Sequence, residues 1–507
     1  MMRRYFYLSL LVLGLAGCST TTAASAPPIS LPAPVTGRLT ISSPDESGNV
    51  LVVGDEGAVP AGSLVHAVNN SKDAVALRVL EGTLFGWVSV AEAQAGLPEI
   101  CGHTFHACTL ADNNGSFELS VPAAEDEEII VEILDPATGA RISERFQKKV
   151  PANVKGFPRP VSALGFLGNS ITGDHTLYAL MPHLEPGGTQ GLISVVNVDT
   201  GERTPVDFDG PNPTRMVVEA ASRQAVLLDP EGEFLAKVDL TANNFDTPAK
   251  TPVEAPRDAV LNTTGSLLLV ATGETTDAGT PEDARFIRTF NFITGVEGDP
   301  IRISTLQTVI SGATNLETLA LDIRPFTDGA IFFDMAAFVG MFDIPGAGPT
   351  AVIGLFDADS LMFLTALPLP AGTLPEDIAL SRNGDQILVT DSGNDKILVF
   401  DFSYIGGVTT ITPVGAVADP EGFVQNPRDI VMLPEQPIAF VTAKNGTDDR
   451  PDTVLTLSLI TPPTVVDINP VGLGPTDLLL DPFNQALFVS TFKSHSVAIW
   501  GPADLLP

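Results

Sequence analysis

The chain is short of the side chains that carry chemistry or positive charge. Its 507 residues include 3 cysteines, 6 histidines, 4 tyrosines and 2 tryptophans. Only 27 are Lys or Arg, against 61 Asp or Glu, for a formal net charge of −34. That balance argues against nucleic acid as a partner, because phosphate binding needs a basic surface. It argues equally against electrostatic docking on anionic lipid. Six histidines and no expected free thiol leave few bases for Ser-His-Asp or Cys-His mechanisms. There is no G-x-S-x-G, no H-E-x-x-H, no phosphate loop, and no G-x-G-x-x-G in strand–turn–helix context. Long apolar runs are also missing: the most apolar internal stretch, Ala330 to Phe342, is short and contains Asp334.

What is plentiful is turn chemistry and apolar residues. The 45 Gly, 42 Pro and 44% hydrophobic residues describe a folded, turn-rich chain with few long helices. At the N-terminus, Arg3 and Arg4 precede an apolar stretch from Tyr5 to Gly17. It is too short to span a bilayer as a helix but suits a signal-peptide core. It ends Leu15-Ala-Gly-Cys18, which resembles the lipobox of bacterial lipoproteins. The resemblance implies removal of residues 1–17 and lipidation of Cys18, giving a membrane partner through the anchor. Ser19 after the cysteine implies the outer membrane, facing the periplasm or the cell surface. Residues 18–34, rich in Ser, Thr, Ala and Pro, are expected to be a flexible tether.

Residues 35–146 contain six or seven short β-forming runs separated by turn residues, the pattern of a β-sandwich. The segment from Asp112 to Ala123 (DNNGSFELSVPA) resembles a signature of bacterial immunoglobulin-like modules, which implies that fold but no activity. Cys101 and Cys108 are expected to form a disulfide, as befits an exported protein. The alternative is a metal site using these thiols with His103 and His106. Residues 147–159 read as a linker.

From 160 to 507 the chain is periodic. Its clearest unit runs from Pro375-Glu-Asp-Ile-Ala-Leu380, through Asn383-Gly384, Gln386–Thr390 and Asp391-Ser-Gly-Asn-Asp395, to Lys396–Asp401. Openings at 160, 213, 256, 316, 375, 427 and 475 resemble NHL-type and YVTN-type β-propeller repeats. The fold class expected is therefore all-β: an immunoglobulin-like sandwich followed by a propeller of seven blades. Six or eight blades stay open, since the copies at 160, 213 and 316 are degenerate. The last unit stops after its third strand, so residues around 147–157 are expected to supply its fourth.

The repeat phase places Arg257, Asp258, Asp377, Arg428, Asp429 and Asp477 at the channel mouth on the expected binding face. Their recurrence at one repeat position also fits Asp side chains that simply accept turn hydrogen bonds. Two features break the symmetry. A long loop at 337–349 is expected to project Phe338, Met341 and Phe342 as a partner site. His183 and His495 fall in equivalent loops of the first and last units, where a shared metal is one reading. The functional expectation is a noncatalytic binding or scaffold lipoprotein engaging a protein, peptide or glycan in the envelope, with no cofactor. The alternatives are a lactonase-type hydrolase using Ca²⁺ held by funnel carboxylates, or a metal-handling or redox protein.

Overall fold

A computed structural model describes residues 31–501, apart from 72–100, 274–284, 445–451 and scattered segments of one to four residues. Cys18, the signal segment, most of the tether and His103 lie outside the described residues. Strands dominate, with a four-residue helix at Ile303–Leu306. No helix among the described residues is long and apolar enough to cross a membrane.

The N-terminal unit packs two antiparallel sheets face to face. One contains Leu39–Ile41, Asn49–Gly54 and Phe117–Pro122, in that order. The other is ordered His106–Leu110, Leu64–Asn69, Glu128–Leu134, Phe146–Lys149. Strand Phe117–Pro122 shows the logic: Phe117, Leu119 and Val121 point inward, Glu118 and Ser120 outward. The inward residues meet Val65, Ala67, Ile129, Val131 and Ile133 of the opposite sheet in one core. Strand His106–Leu110 was not legible in the sequence, because its alternation is interrupted by Cys108 and Thr109. Cys101 and Cys108 are joined by a disulfide, with Cα atoms 5.4 Å apart. The unit reaches back into the expected tether, since Leu31 bridges to Ser143.

The rest of the chain forms seven four-stranded antiparallel sheets, six of them built in sequence order from the inside out. The innermost strands are Ala163–Asn169, Arg215–Glu219, Pro256–Leu261, Thr314–Thr327, Pro375–Leu380, Pro427–Met432 and Pro475–Leu480. Each packs on its successor, and the seventh packs on the first, so the sheets close as blades of a propeller. Seventh-blade strands Pro475–Leu480, Leu487–Thr491 and Ser496–Trp500 lack a following fourth. Val154–Gly156 fills that place, pairing antiparallel with Ser496–Trp500. The expected linker 147–159 is thus used twice: its start ends a sandwich sheet, and its middle completes the ring.

The same short strand stitches the two units together. Ser43 N donates to Val154 O, and Val154 N donates to Ser43 Oγ at 2.8 Å. Nearby, Thr40 Oγ1 and Ser494 Oγ lie 2.5 Å apart, and Lys493 Nζ pairs with Asp55 at 2.9 Å.

One expectation fails here. Residues 337–344 are not a projecting loop but the end of strand Phe332–Ile344, the second of the fourth blade. Phe338 and Phe342 are fully buried against Phe286 and, for Phe338, Phe356. Met341 is half-buried, packed toward the fifth blade. The physical reason is that a middle strand of a blade is covered on both faces. It therefore reads as an unbroken apolar run rather than an alternating one. The turn is confined to Pro345–Ala347, where Ala347 N donates to Ile344 O.

Candidate functional site

The site is built on the first strand of each blade. Four of these strands open with Pro-x-Asp, at Asp258, Asp377, Asp429 and Asp477. Each aspartate is buried and reaches across to the neighbouring blade. Asp258 Oδ2 accepts from Leu321 N at 2.8 Å, and Asp377 Oδ2 from Ile430 N at 2.9 Å. Asp429 Oδ2 accepts from Leu478 N, and Asp477 Oδ2 from Leu164 N at 2.6 Å across the ring closure. Asp322, farther along its strand, does the same to Leu380 N at 2.8 Å. The other oxygens of Asp258, Asp322 and Asp377 accept from the next residue in their own strands. These carboxylates are therefore staples between blades. That is why the motif recurs, and it leaves them few lone pairs for an added cation.

The second blade breaks the pattern. Its opening, Pro213-Thr-Arg215, puts arginine where the repeat has aspartate. Arg215 extends into the ring, with Nε 2.9 Å from Asp258 Oδ1 and Nη1 3.1 Å from Asp477 Oδ1. Its guanidinium and the surrounding carboxylates form a waist in the axial channel. Above lies a funnel of about 420 Å³, and below a wider one of about 590 Å³; Arg215, Asp377, Asp429 and Asp477 line both. The lower funnel is mostly apolar, with Phe166, Val217, Val260, Ile323 and Met432 in its wall. The upper one is ionic, carrying Arg257, Glu376, Arg428, Lys444 and Lys493 with Phe492 beside them.

Burial dominates the electrostatics of the waist. It raises the carboxyls of Asp258 and Asp322, with Arg215 and Arg324 respectively opposing it. Asp377 stands well above its ordinary value, through burial first and then the adjacent Asp429 carboxyl, which it hydrogen-bonds. Asp477 is likewise well above, through burial first, with Arg215 opposing and Asp429 adding to the rise. Burial and crowding of like charges both work against full ionisation here. Arg215 is held firmly cationic, chiefly by Asp258.

At the rim, the middle residue of Pro-x-Asp pairs with its counterpart in the next blade. Arg257 meets Glu317 at 2.5 Å, and Arg428 meets Glu376 at 2.6 Å. Of the channel-mouth residues anticipated from the sequence, Arg257, Asp258, Glu376, Asp377, Arg428, Asp429 and Asp477 line this one funnel, while Glu317 stands at its rim paired with Arg257. Arg215 was missed, although its signal was visible as the single basic residue at the aspartate position.

The histidines are dispersed. His183 faces Glu231 at 3.2 Å, and His495 faces Glu118 of the sandwich at 3.4 Å. His495 and Lys493 border a second cleft, between sandwich and propeller. In the sandwich, His66 is buried, with Nδ1 3.1 Å from Glu132 Oε1 and Nε2 2.8 Å from His106 Nδ1. Arg145 Nε donates to Glu132 Oε2 at 2.9 Å. Burial opposes ionisation of Glu132, but the hydrogen bonds from His66 and Arg145 prevail and hold its carboxyl below the ordinary value. Among the described residues, no group of three or more His, Cys, Asp or Glu is arranged to hold a metal ion.

No family model matches the chain, and no curated protein matches it. Solved structures do. Hydrazine synthase of Kuenenia stuttgartiensis superposes with a TM-score of 0.52 at 14% identity, covering 69% of this chain and 98% of that one. The Cps50 (Swd1) β-propeller domain of Myceliophteria thermophila gives 0.47 at 10% identity, covering 69% and 99%. At such identity the likeness is one of fold, and the fold that this chain has is an all-β propeller.

Proposed function

We propose that the protein is an exported, lipid-anchored binding protein of the cell envelope, without catalytic activity of its own. The upper funnel of the propeller is its ligand site. The N-terminal sandwich, immunoglobulin-like in kind, stands between that site and the anchor at Cys18. The reading is carried by the funnel itself. Its volume of about 420 Å³ lies in the usual range for ligand sites. Its floor is fixed by staples between blades, and no His, Cys or Ser is among its described lining residues. A rigid ionic cup without a nucleophile–base pair is built to hold a ligand, not to transform one.

The test uses the full mature chain on glycan and peptide arrays, beside a Lys444→Trp variant whose indole fills the funnel. Ligands bound by the wild type and lost in the variant are the expected result. Ligands retained by the variant, with its circular dichroism unchanged, would overturn the assignment of the site. The anchor is tested separately: Cys18→Ser should shift the protein from the membrane to the soluble fraction.

A further inference from the structure

The lower funnel has no part in the binding described so far, yet it is the wider of the two, at about 590 Å³. That volume suits a small-molecule ligand. All seven blades line it with residues that follow the waist along their inner strands. Val217, Val260, Leu261, Val431, Leu479 and Leu480 are only half-buried in the folded ring. Aliphatic surface left open in a concave wall is unfavourable in proportion to its area, and an apolar ligand would cover it. The fold does not impose such a lining, because the same strands carry an ionic wall at their upper ends. The charged residues of the lower wall are Arg215, Asp322, Arg324, Asp377, Asp429 and Asp477. Arg215 pairs with Asp258 and Asp477, and Arg324 with Asp322 at 3.1 Å. Each of the four aspartates also accepts from a backbone N–H of the next blade. The ionic groups are thus committed to the fold, and both arginines already have carboxylate partners.

The repeat symmetry is broken at this mouth. The inner strand of the fourth blade, Thr314–Thr327, has 14 residues, where the other inner strands have 5 to 7. Its extra length brings Arg324 and Pro325 into the wall of the lower funnel. It then continues, paired with Phe332–Ile344, as a hairpin beyond that wall. The fifth-blade hairpin of Lys396–Ile405 and Val408–Ala416 stands against it. Phe326 packs on Phe402 and Tyr404, with centroids 5.3 and 6.2 Å away, and Phe333 on Tyr404 at 6.0 Å. At the ends of these hairpins, Phe332 is 70% and Val408 64% exposed. Ring closure needs none of this, so the extension is an apolar lip added beside the mouth. Within the funnel, Phe166 is the one aromatic among the described lining residues. Such a wall suits a flexible aliphatic chain rather than a flat ring that would need a stacking partner.

We infer that the lower funnel is a second binding site, and that it takes a neutral single-chain amphiphile. The hydrocarbon chain lies along the aliphatic wall, with an uncharged hydroxyl or carbonyl end at the waist. The site is independent of the upper funnel. The probes are 1-hexanol, 1-octanol and 1-decanol, with decanoate and decylammonium as charged analogues. They are titrated calorimetrically into the full mature chain, made without acyl groups so that no detergent competes. Affinity for the alcohols should rise about fourfold per added methylene. Decanoate and decylammonium should bind about tenfold or more weaker than decanol, since neither finds a free counter-ion at the waist. Val217→Trp and Val431→Trp, on different sides of the cavity, fill it and should each lose about tenfold or more in decanol affinity. Full affinity in both variants with circular dichroism unchanged, or no dependence on chain length, would overturn the site. Should both variants misfold, the chain-length series in the wild type still decides. A charged analogue that binds as tightly as decanol would overturn the neutral assignment. Lys444→Trp should leave decanol binding unchanged; if it abolishes that binding, the alcohol sits in the upper funnel, and this inference fails while the proposed ligand site stands.

Discussion

At the scale of single residues, the molecule places its few basic and titratable groups with economy. Asp377 joins two blades as an acceptor, yet burial and Asp429 keep its carboxyl well above the ordinary value. A carboxyl raised in the folded state favours folding at low pH, and that advantage fades as pH climbs from the unfolded value through the folded one. Asp377→Asn mimics the protonated form. The melting temperature of the variant relative to wild type should therefore rise between pH 4 and pH 8. The underlying slope is at most about 1.4 kcal/mol per pH unit. A gap that stays constant across that range would show that the carboxyl titrates normally. In the sandwich, Glu132 is held between His66 and Arg145. Removing the imidazole in His66→Ala leaves a buried carboxylate short of a donor. It should cost about 1–3 kcal/mol in urea denaturation, more than a control His175→Ala, whose imidazole is partly exposed and meets the exposed Asp199.

The element scale shows what could and could not be foreseen. The Pro-x-Asp openings set the inner strands, because proline begins a strand cleanly and aspartate finds its partner across the blade boundary. Those starts were legible to within a few residues even where the motif had decayed, as at Arg215–Glu219 and Thr314–Thr327. The channel-mouth cluster was legible for the same reason. The second strands were less so. Phe332–Ile344 carries a continuous apolar run, and from sequence alone such a run is equally a buried strand or an exposed hydrophobic loop. Packing decides: Phe338 fits edge-on to Phe286, with centroids 5.1 Å apart. Gly354 opposite leaves room for its ring; a Cβ there would lie 2.1 Å from Phe338 Cζ. Phe338→Ala should accordingly cost about 3–5 kcal/mol. An effect under about 0.5 kcal/mol, typical of surface sites, would place the ring outside the core.

At the scale of the whole molecule, the sandwich and the propeller share a strand boundary rather than a free linker. Val154–Gly156 belongs to the last blade but is hydrogen-bonded to Ser43 of the sandwich. Lys493 extends from the funnel wall to Asp55. The two units are expected to unfold in one calorimetric transition, and Val154→Pro, which removes the N–H donated to Ser43, should lower that transition and broaden it. Two separate transitions in the wild type would refute the coupling. This joint was only half legible: the missing fourth strand implied a donor from 147–157, but no residue pattern announced that the sandwich would hold it.

The strand that closes the ring also sets a schedule for making the protein. Val154–Gly156 leaves the ribosome early, while its partner Ser496–Trp500 is made about 340 residues later. Until then the growing array has two open β-edges, at its first and its latest blade, each able to pair with another chain. Folding must therefore wait for the end of synthesis before the ring can close. A chain stalled or clipped within the last blade would lose its closure entirely, whereas a nick in a loop between middle blades would leave both closing strands in hand.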